Sequence, residues 1–169
     1  VKILDTNLNK IVSVPPSVVL PSIYAANDKA SAEWFAPAGL NRGGITQAVQ
    51  VLDRLTHGER DTLYEGRVNP IAAFPGQGIC VWGQKTLQRT PTALDRVNVR
   101  RMLFYVEKTI KAAAKNFLFE PNNAATRSAF TAKCNQILSD LVSNSGAQKF
   151  VVKCDEELNT PDVIARNEL

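Results

Sequence analysis

Few side chains in this sequence have the types and spacing that chemistry needs. His57 is the single histidine, and Cys80, Cys134 and Cys154 are the only thiols. The cysteines are odd in number, far apart and without a CxxC pair, so neither a zinc site nor a disulfide framework is readable. They read instead as small buried hydrophobes of a reducing compartment. His57 falls in "LTHGER", where a helix is expected to begin, and reads as an exposed first-turn residue rather than a base. Carboxylates cluster only in "DEEL" (155–158), a polar loop remote from His57 in sequence, where solvated charge is the simpler role. With no nucleophile elbow, paired-carboxylate signature or metal spacing, no catalytic, cofactor-binding or metal residue is assigned.

A second candidate is the glycine cluster "FAPAGLNRGGI" (35–45) around Arg42. A phosphate loop requires Lys-Ser/Thr opening a helix, and a dinucleotide fingerprint requires G-x-G-x-x-G. "GLNRGG" has neither spacing, and no strong strand leads into it. "GQG" (76–78) is what a tight turn requires. Both glycine groups therefore read as turns.

The surrounding elements follow from periodicity. A short strand-like run begins at Ile11; a helix follows Pro15-Pro16 from about Ser17, weakened by Pro21. "ITQAVQVLD" (45–53) leans to strand. Thr56 and Glu59 have capping-box spacing, and Gly66 is placed as the residue closing that helix. Ile71–Phe74 and Ile79–Trp82 flank Pro75-Gly76-Gln77-Gly78 as a hairpin. The strongest signal is 95–119, where Val99, Leu103, Val106, Ile110, Ala113 and Phe117 line one face of a long helix. After Pro121, a second helix over 123–143 carries Phe130, Cys134, Ile137 and Leu141, and Gly146 stops it. "QKFVVKC" (148–154) reads as a strand, and Thr160-Pro161 opens a short helical turn. The expected class is α/β, in the α+β layered sense: a small mixed sheet packed against two long helices.

With 169 residues, 44% hydrophobic and 21% charged, the chain is an ordinary globular domain, and no apolar run reaches the length of a membrane span. It opens "VKILDTNLNK" with neither an initiator Met nor a signal-type stretch, as expected of a segment of a longer polypeptide. Its formal charge of +4 is unevenly spread. Asp155, Glu156, Glu157, Asp162 and Glu168 face Arg166 alone from residue 155 onward, a balance of −4, which leaves +8 on residues 1–154. Arg101, Lys108 and Lys115 recur every seven positions on the long helix, with Arg100 and Lys111 beside them. A solvated face, a nucleic-acid track and a docking surface for an acidic partner all use such a stripe. Interleaved exposed aromatics would favour nucleic acid, and only Tyr105 is near, so protein docking fits better.

Beyond these local signals, the stretches "PPSVVLPSIYAANDKASAEWFAPAGLNRGGI", "RDTLYEGRVNPIAAFPGQGICVWGQKTL", "DRVNVRRMLFYVEKTIKAAAKNFLFEPNN" and "NTPDVIARNEL" resemble, in order, the sheath proteins of contractile phage tails. The likeness spans about residues 11 to 169 and is nearest the large T-even-type sheaths. It implies a structural, non-enzymatic subunit without cofactors, assembled in the host cytoplasm and housed in the virion. Its copies would stack around an inner tube and contract to drive it through the host envelope. The implied partners are other sheath subunits, joined by strand exchange and charge contacts, and the tail tube protein. The resemblance places 1–15 as a connection from a preceding outer domain. It places 16–169 as the sheath core domain, stopping at "RNEL" before the C-terminal arm and incomplete without it. The expected interface residues are Arg42, Arg100, Arg101, Lys108, Lys111, Lys115, Asp155, Glu156 and Glu157. The alternatives are a nucleic-acid-binding domain using the basic helix, and the sheath of a contractile bacteriocin or injection system.

Overall fold

The computed structural model describes residues 1–166. Glu168, counted in the acidic end, and the last three residues of "RNEL" lie outside them. The chain divides into two compact units, one over Val1–Arg101 and one from Met102 onward.

The first unit opens with an antiparallel pair, β1 (Lys2–Asp5) and β2 (Lys10–Ser13). The Asp5 carboxylate closes their turn by accepting from the Asn7 and Leu8 amides at 2.9 and 3.2 Å. Helix α1 (Pro16–Ala30) follows, with Pro16 in the first turn, where its missing N–H costs nothing. Pro21 lies inside α1 on an exposed position, and the helix runs through it. Val19, Ile23 and Asn27, four residues apart, form the buried face. Val19 and Ile23 join Ile45 and Val81 in the core, with Ile3, Val14, Leu20, Ala48, Ile71 and Ile79 packed around them. Burying Val19, Ile23, Ile45 and Val81 contributes about 1.5–3 kcal/mol each.

Two sheets enclose this core. β3 (Ala48–Gln50) adds to β1, giving the order β2-β1-β3. β4 (Ile71–Phe74) and β5 (Gly78–Val81) form the expected hairpin. Pro75 and Gly76 (φ +73°) occupy the central positions of its turn, closed by the Gln77 amide on the Phe74 carbonyl at 3.0 Å, as a type II turn requires. The segment before β3 stitches the two sheets. Val81 N–H donates to the Gly43 carbonyl at 2.9 Å and Ile45 N–H to the Ile79 carbonyl at 2.8 Å, bridging Gly44 to Cys80. All strand pairings among the described residues are antiparallel, so the sheets are not mixed.

Between these strands lies α3 (His57–Glu65), whose capping box is formed. Thr56 N–H donates to Glu59 Oε2 at 2.7 Å, and Glu59 N–H to Thr56 Oγ1 at 3.4 Å. Donors from Thr56 hold the Glu59 carboxyl below the usual glutamate range. Gly66 is not the left-handed residue that closes α3. That residue is Arg67 (φ +63°), and Val68 N–H reaches back to the Leu63 carbonyl at 2.8 Å.

Helix α4 (Val97–Ala114) begins in the first unit and is shorter than the 95–119 expected, because a tight turn over Lys115–Phe117 finishes it. The second unit continues with α5 (Ala124–Ser143), capped by Asn123 Oδ1 accepting from Thr126 N–H at 2.9 Å. Phe117 meets Phe130 edge-on at 5.3 Å. Ala113, Cys134 and Leu141 are buried, but Val106, Ile110, Phe117, Phe130 and Ile137 are only half-buried and Leu103 is exposed. Segment 148–154 is not a strand, although its composition suits one. A strand needs a neighbouring edge, and the backbone of 148–153 finds none among the described residues. A short helix α6 (Pro161–Ala165) follows Thr160 as expected.

The C-terminus of α5 allows a direct check. Ser145 N–H donates to the Val142 carbonyl at 3.0 Å and Gly146 N–H to the Leu141 carbonyl at 2.8 Å, the two bonds of a Schellman motif. The left-handed residue is Ser145 (φ +60°), while a Cβ at Gly146 would lie 2.8 Å from Leu141 Cγ. Ser145→Gly is expected to raise stability by roughly 0.5 kcal/mol. Gly146→Ala is expected to lower it by about 1–3 kcal/mol. Both are measurable by urea unfolding.

Candidate interaction surface

The glycine cluster is a folded-back connection. Asn27, 2% exposed, donates its amide to the carbonyls of Ala32 and Phe35 at 3.1 and 3.3 Å, fixing the loop that leaves α1. A single helical turn, α2 (Gly39–Arg42), then brings Gly43 back against Ala38, its N–H on the Gly39 carbonyl at 2.8 Å. A Cβ at Gly43 would sit 2.7 Å from Ala38 Cα, so no side chain fits. Arg42 faces inward: Nε donates to the Ala36 carbonyl at 3.3 Å, and the guanidinium lies 5.0 Å from the Phe35 ring centroid.

The predicted basic stripe separates into two groups. Arg100 donates to the Leu94 carbonyl at 3.1 Å and to Gln88 Oε1 at 2.7 Å. Arg101 pairs with Asp28 at 2.5 Å over the Tyr24 ring, with the two side chains 17% and 33% exposed. These arginines hold the fold. Lys108, Lys111 and Lys115 are exposed and make no ion pair among the described residues. At 100° per residue Lys108 and Lys111 line one side of α4 together with exposed Phe104, opposite the apolar face, and Lys115 follows in the tight turn that ends the helix.

The acidic end is partly engaged. Asp155 Oδ1 accepts from Leu158 N–H at 3.2 Å, Glu156 lies 3.7 Å from Arg127, and Glu157 is exposed. Sequence reasoning missed the network beneath. Buried Arg127 donates to Asn122 Oδ1 at 2.8 Å, Asn122 donates to Asn159 Oδ1 at 3.0 Å, and Asn159 returns to the Asp155 carbonyl at 3.0 Å. Asparagines at distant positions carry no periodicity that would have marked them.

His57 Nδ1 lies 2.9 Å from Asp61 Oδ2, both side chains well exposed, as the first-turn reading expected. Cys80 and Cys134 are buried, which pushes both thiols up from their ordinary value and away from the reactive thiolate. Among the described residues no group of His, Cys, Asp or Glu could hold a metal, and no helix is long and apolar enough to cross a membrane.

Two family descriptions divide the chain between them: phage tail sheath protein central domain over residues 5–87, and phage tail sheath C-terminal domain over 89–169. The chain belongs to the phage tail sheath family. The tail sheath protein of Vibrio phage KVP40 is 39% identical over 92% of the chain, and that of Enterobacteria phage T4 37% identical over 92%. The chain spans only 23% and 24% of those relatives' lengths. The helical sheath of the anti-feeding prophage, solved in its contracted state, is 28% identical with a TM-score of 0.71, over 93% of this chain and 41% of that one.

Because Arg101 is spent inside the fold, its loss should be felt by the monomer. Arg101→Gln is expected to cost about 2 kcal/mol, between exposed and buried pairs. Lys108→Gln should cost under about 0.5 kcal/mol. Thermal unfolding of the two variants checks the division.

Proposed function

We propose that this chain is the core of a contractile sheath subunit, which polymerises around an inner tube and shortens to drive it through an envelope. The observation that carries the proposal is the likeness to a helical sheath in its contracted state over 93% of the chain. The role is mechanical rather than catalytic, and the setting is the virion, assembled in the host cytoplasm. Residues 1–15 connect from a preceding outer domain, and 16–169 form the core domain.

Two features support contacts between copies. β2 is an outer strand of its sheet, and the backbone of 148–153 makes no backbone hydrogen bond among the described residues. Both suit strands donated by neighbours, a link that tolerates changes of side chain. The exposed Lys108, Lys111 and Lys115 suit acidic surfaces of the tube or of adjacent subunits. A nucleic-acid track loses ground, since two of its five cations are committed internally.

Exposed charge contacts contribute about 0–1 kcal/mol each, so only repetition through a lattice makes them decisive. Replacing Lys108, Lys111 and Lys115 together by Glu in a full-length sheath polypeptide should leave the fold intact and abolish polymerisation. Electron microscopy reads the outcome. Normal tubes from the variant remove the lysines from the interface, and absence of tubes from the unaltered protein overturns the sheath reading.

A further inference from the structure

Phe119 is the most exposed large apolar side chain among the described residues, at 104% of its reference area. Its backbone lies in the left-handed region (φ +70°), where a bulky residue is an outlier. The turn over Lys115–Phe117 precedes it, and Glu120 N–H on the Phe117 carbonyl (3.2 Å) and Asn123 N–H on the Pro121 carbonyl (2.9 Å) follow. Leu118 and Glu120 beside it are also exposed. The isolated chain thus combines an exposed aromatic, carried on a strained backbone, with a neighbouring carboxylate.

A complementary recess lies in the first unit. An open cleft of about 400 Å³ is lined by Ala36, Ala38, Arg60, Tyr64, Trp82 and Gly83, among others. Its walls are held in place. Trp82 packs on Phe74 at 4.6 Å, and the Arg60 guanidinium lies 5.1 Å from the same ring. Tyr64 carries Lys85 Nζ 4.2 Å from its ring centroid and receives a hydrogen bond from Arg96. Asp61, also in the lining, is engaged by His57 at 2.9 Å. Trp, Tyr and Arg are the residue types that dominate binding hot spots.

We propose that the Phe119–Glu120 knob of one copy seats in the Tyr64–Trp82–Arg60 cleft of the next, ring against aromatics and carboxylate toward guanidinium. This deepens the sheath reading and rests on it. Knob and cleft are different surfaces, so the contact repeats head to tail and builds an open helix when the rotation does not close. One aromatic buries about 150–250 Å². A stable interface needs about 1,200 Å² or more, so the contact is transient for two isolated chains.

Photocrosslinking traps such a contact. Phe119→p-benzoylphenylalanine is mixed at high concentration with isotope-labelled, otherwise unaltered chain and irradiated, and adducts are mapped by mass spectrometry. The expected product is an interchain adduct within 36–39 or 82–84, reduced about tenfold when the acceptor carries Trp82→Ala. Glu120→Arg on the donor should weaken the yield and Arg60→Glu on the acceptor restore it, which a mere folding defect would not do. Unlabelled Phe119→Gly chain should unfold a few degrees higher, by relief of the backbone, yet fail to compete. Adducts that are absent, purely intrachain, mapped elsewhere or indifferent to Trp82→Ala overturn the proposal. Because the readout is pairs of chains and not tubes, that failure leaves the sheath reading standing.

Discussion

Gly43 and Ala38 approach so closely that a single Cβ would lie 2.7 Å from the Ala38 Cα, and much of the first unit depends on that approach. It lets the chain double back after α2 and emerge with the Gly43 carbonyl and Ile45 amide aimed at β5. Three residues later the same strand pairs with β1, so one short segment ties the hairpin to the three-stranded sheet. Ile45, carried on that segment, completes the core with Val19, Ile23 and Val81. Without the close approach, the sheets would lose their common strand and α1 would lose part of the surface it covers.

Charge is divided by the same economy of position. Cations near loops are spent on carbonyls and carboxylates: Arg42 on Ala36, Arg100 on Leu94 and Gln88, Arg101 on Asp28, Arg127 on Asn122. Guanidinium groups suit this work because their planar forks satisfy several acceptors at once. Lysines, compact and strongly hydrated, remain outward on α4. Exposed pairs made by such lysines break at little cost.

Local rules were legible and distant partners were not. The Thr56–Glu59 box, the Pro75–Gly76 turn and the α5 boundaries lie within a few residues of their causes, and the sequence shows them. The seven-residue recurrence of Arg101, Lys108 and Lys115 was real as a pattern, but Asp28, seventy-three residues away, decides that Arg101 is structural. Segment 148–154 had strand composition and lacked an edge to join, which composition cannot supply. Gly66 and Gly146 marked helix ends correctly within one residue, yet Arg67 and Ser145 carry the left-handed turns. The knob at Phe119 and the cleft at Trp82 had no signature at all, because exposure and concavity belong to the fold.

If the glycine cluster is a structural crossing rather than a ligand loop, equilibrium urea unfolding will separate two neighbouring alanine variants. Gly43→Ala drives a side chain into the Ala38 backbone and should cost about 2 kcal/mol or more. Gly44→Ala, one residue on, meets nothing within 4 Å and needs no positive φ, so its stability should equal or slightly exceed that of the unaltered chain. Equal tolerance of both substitutions, or equal damage by both, would mean that the Gly43–Ala38 approach does not hold the first unit together.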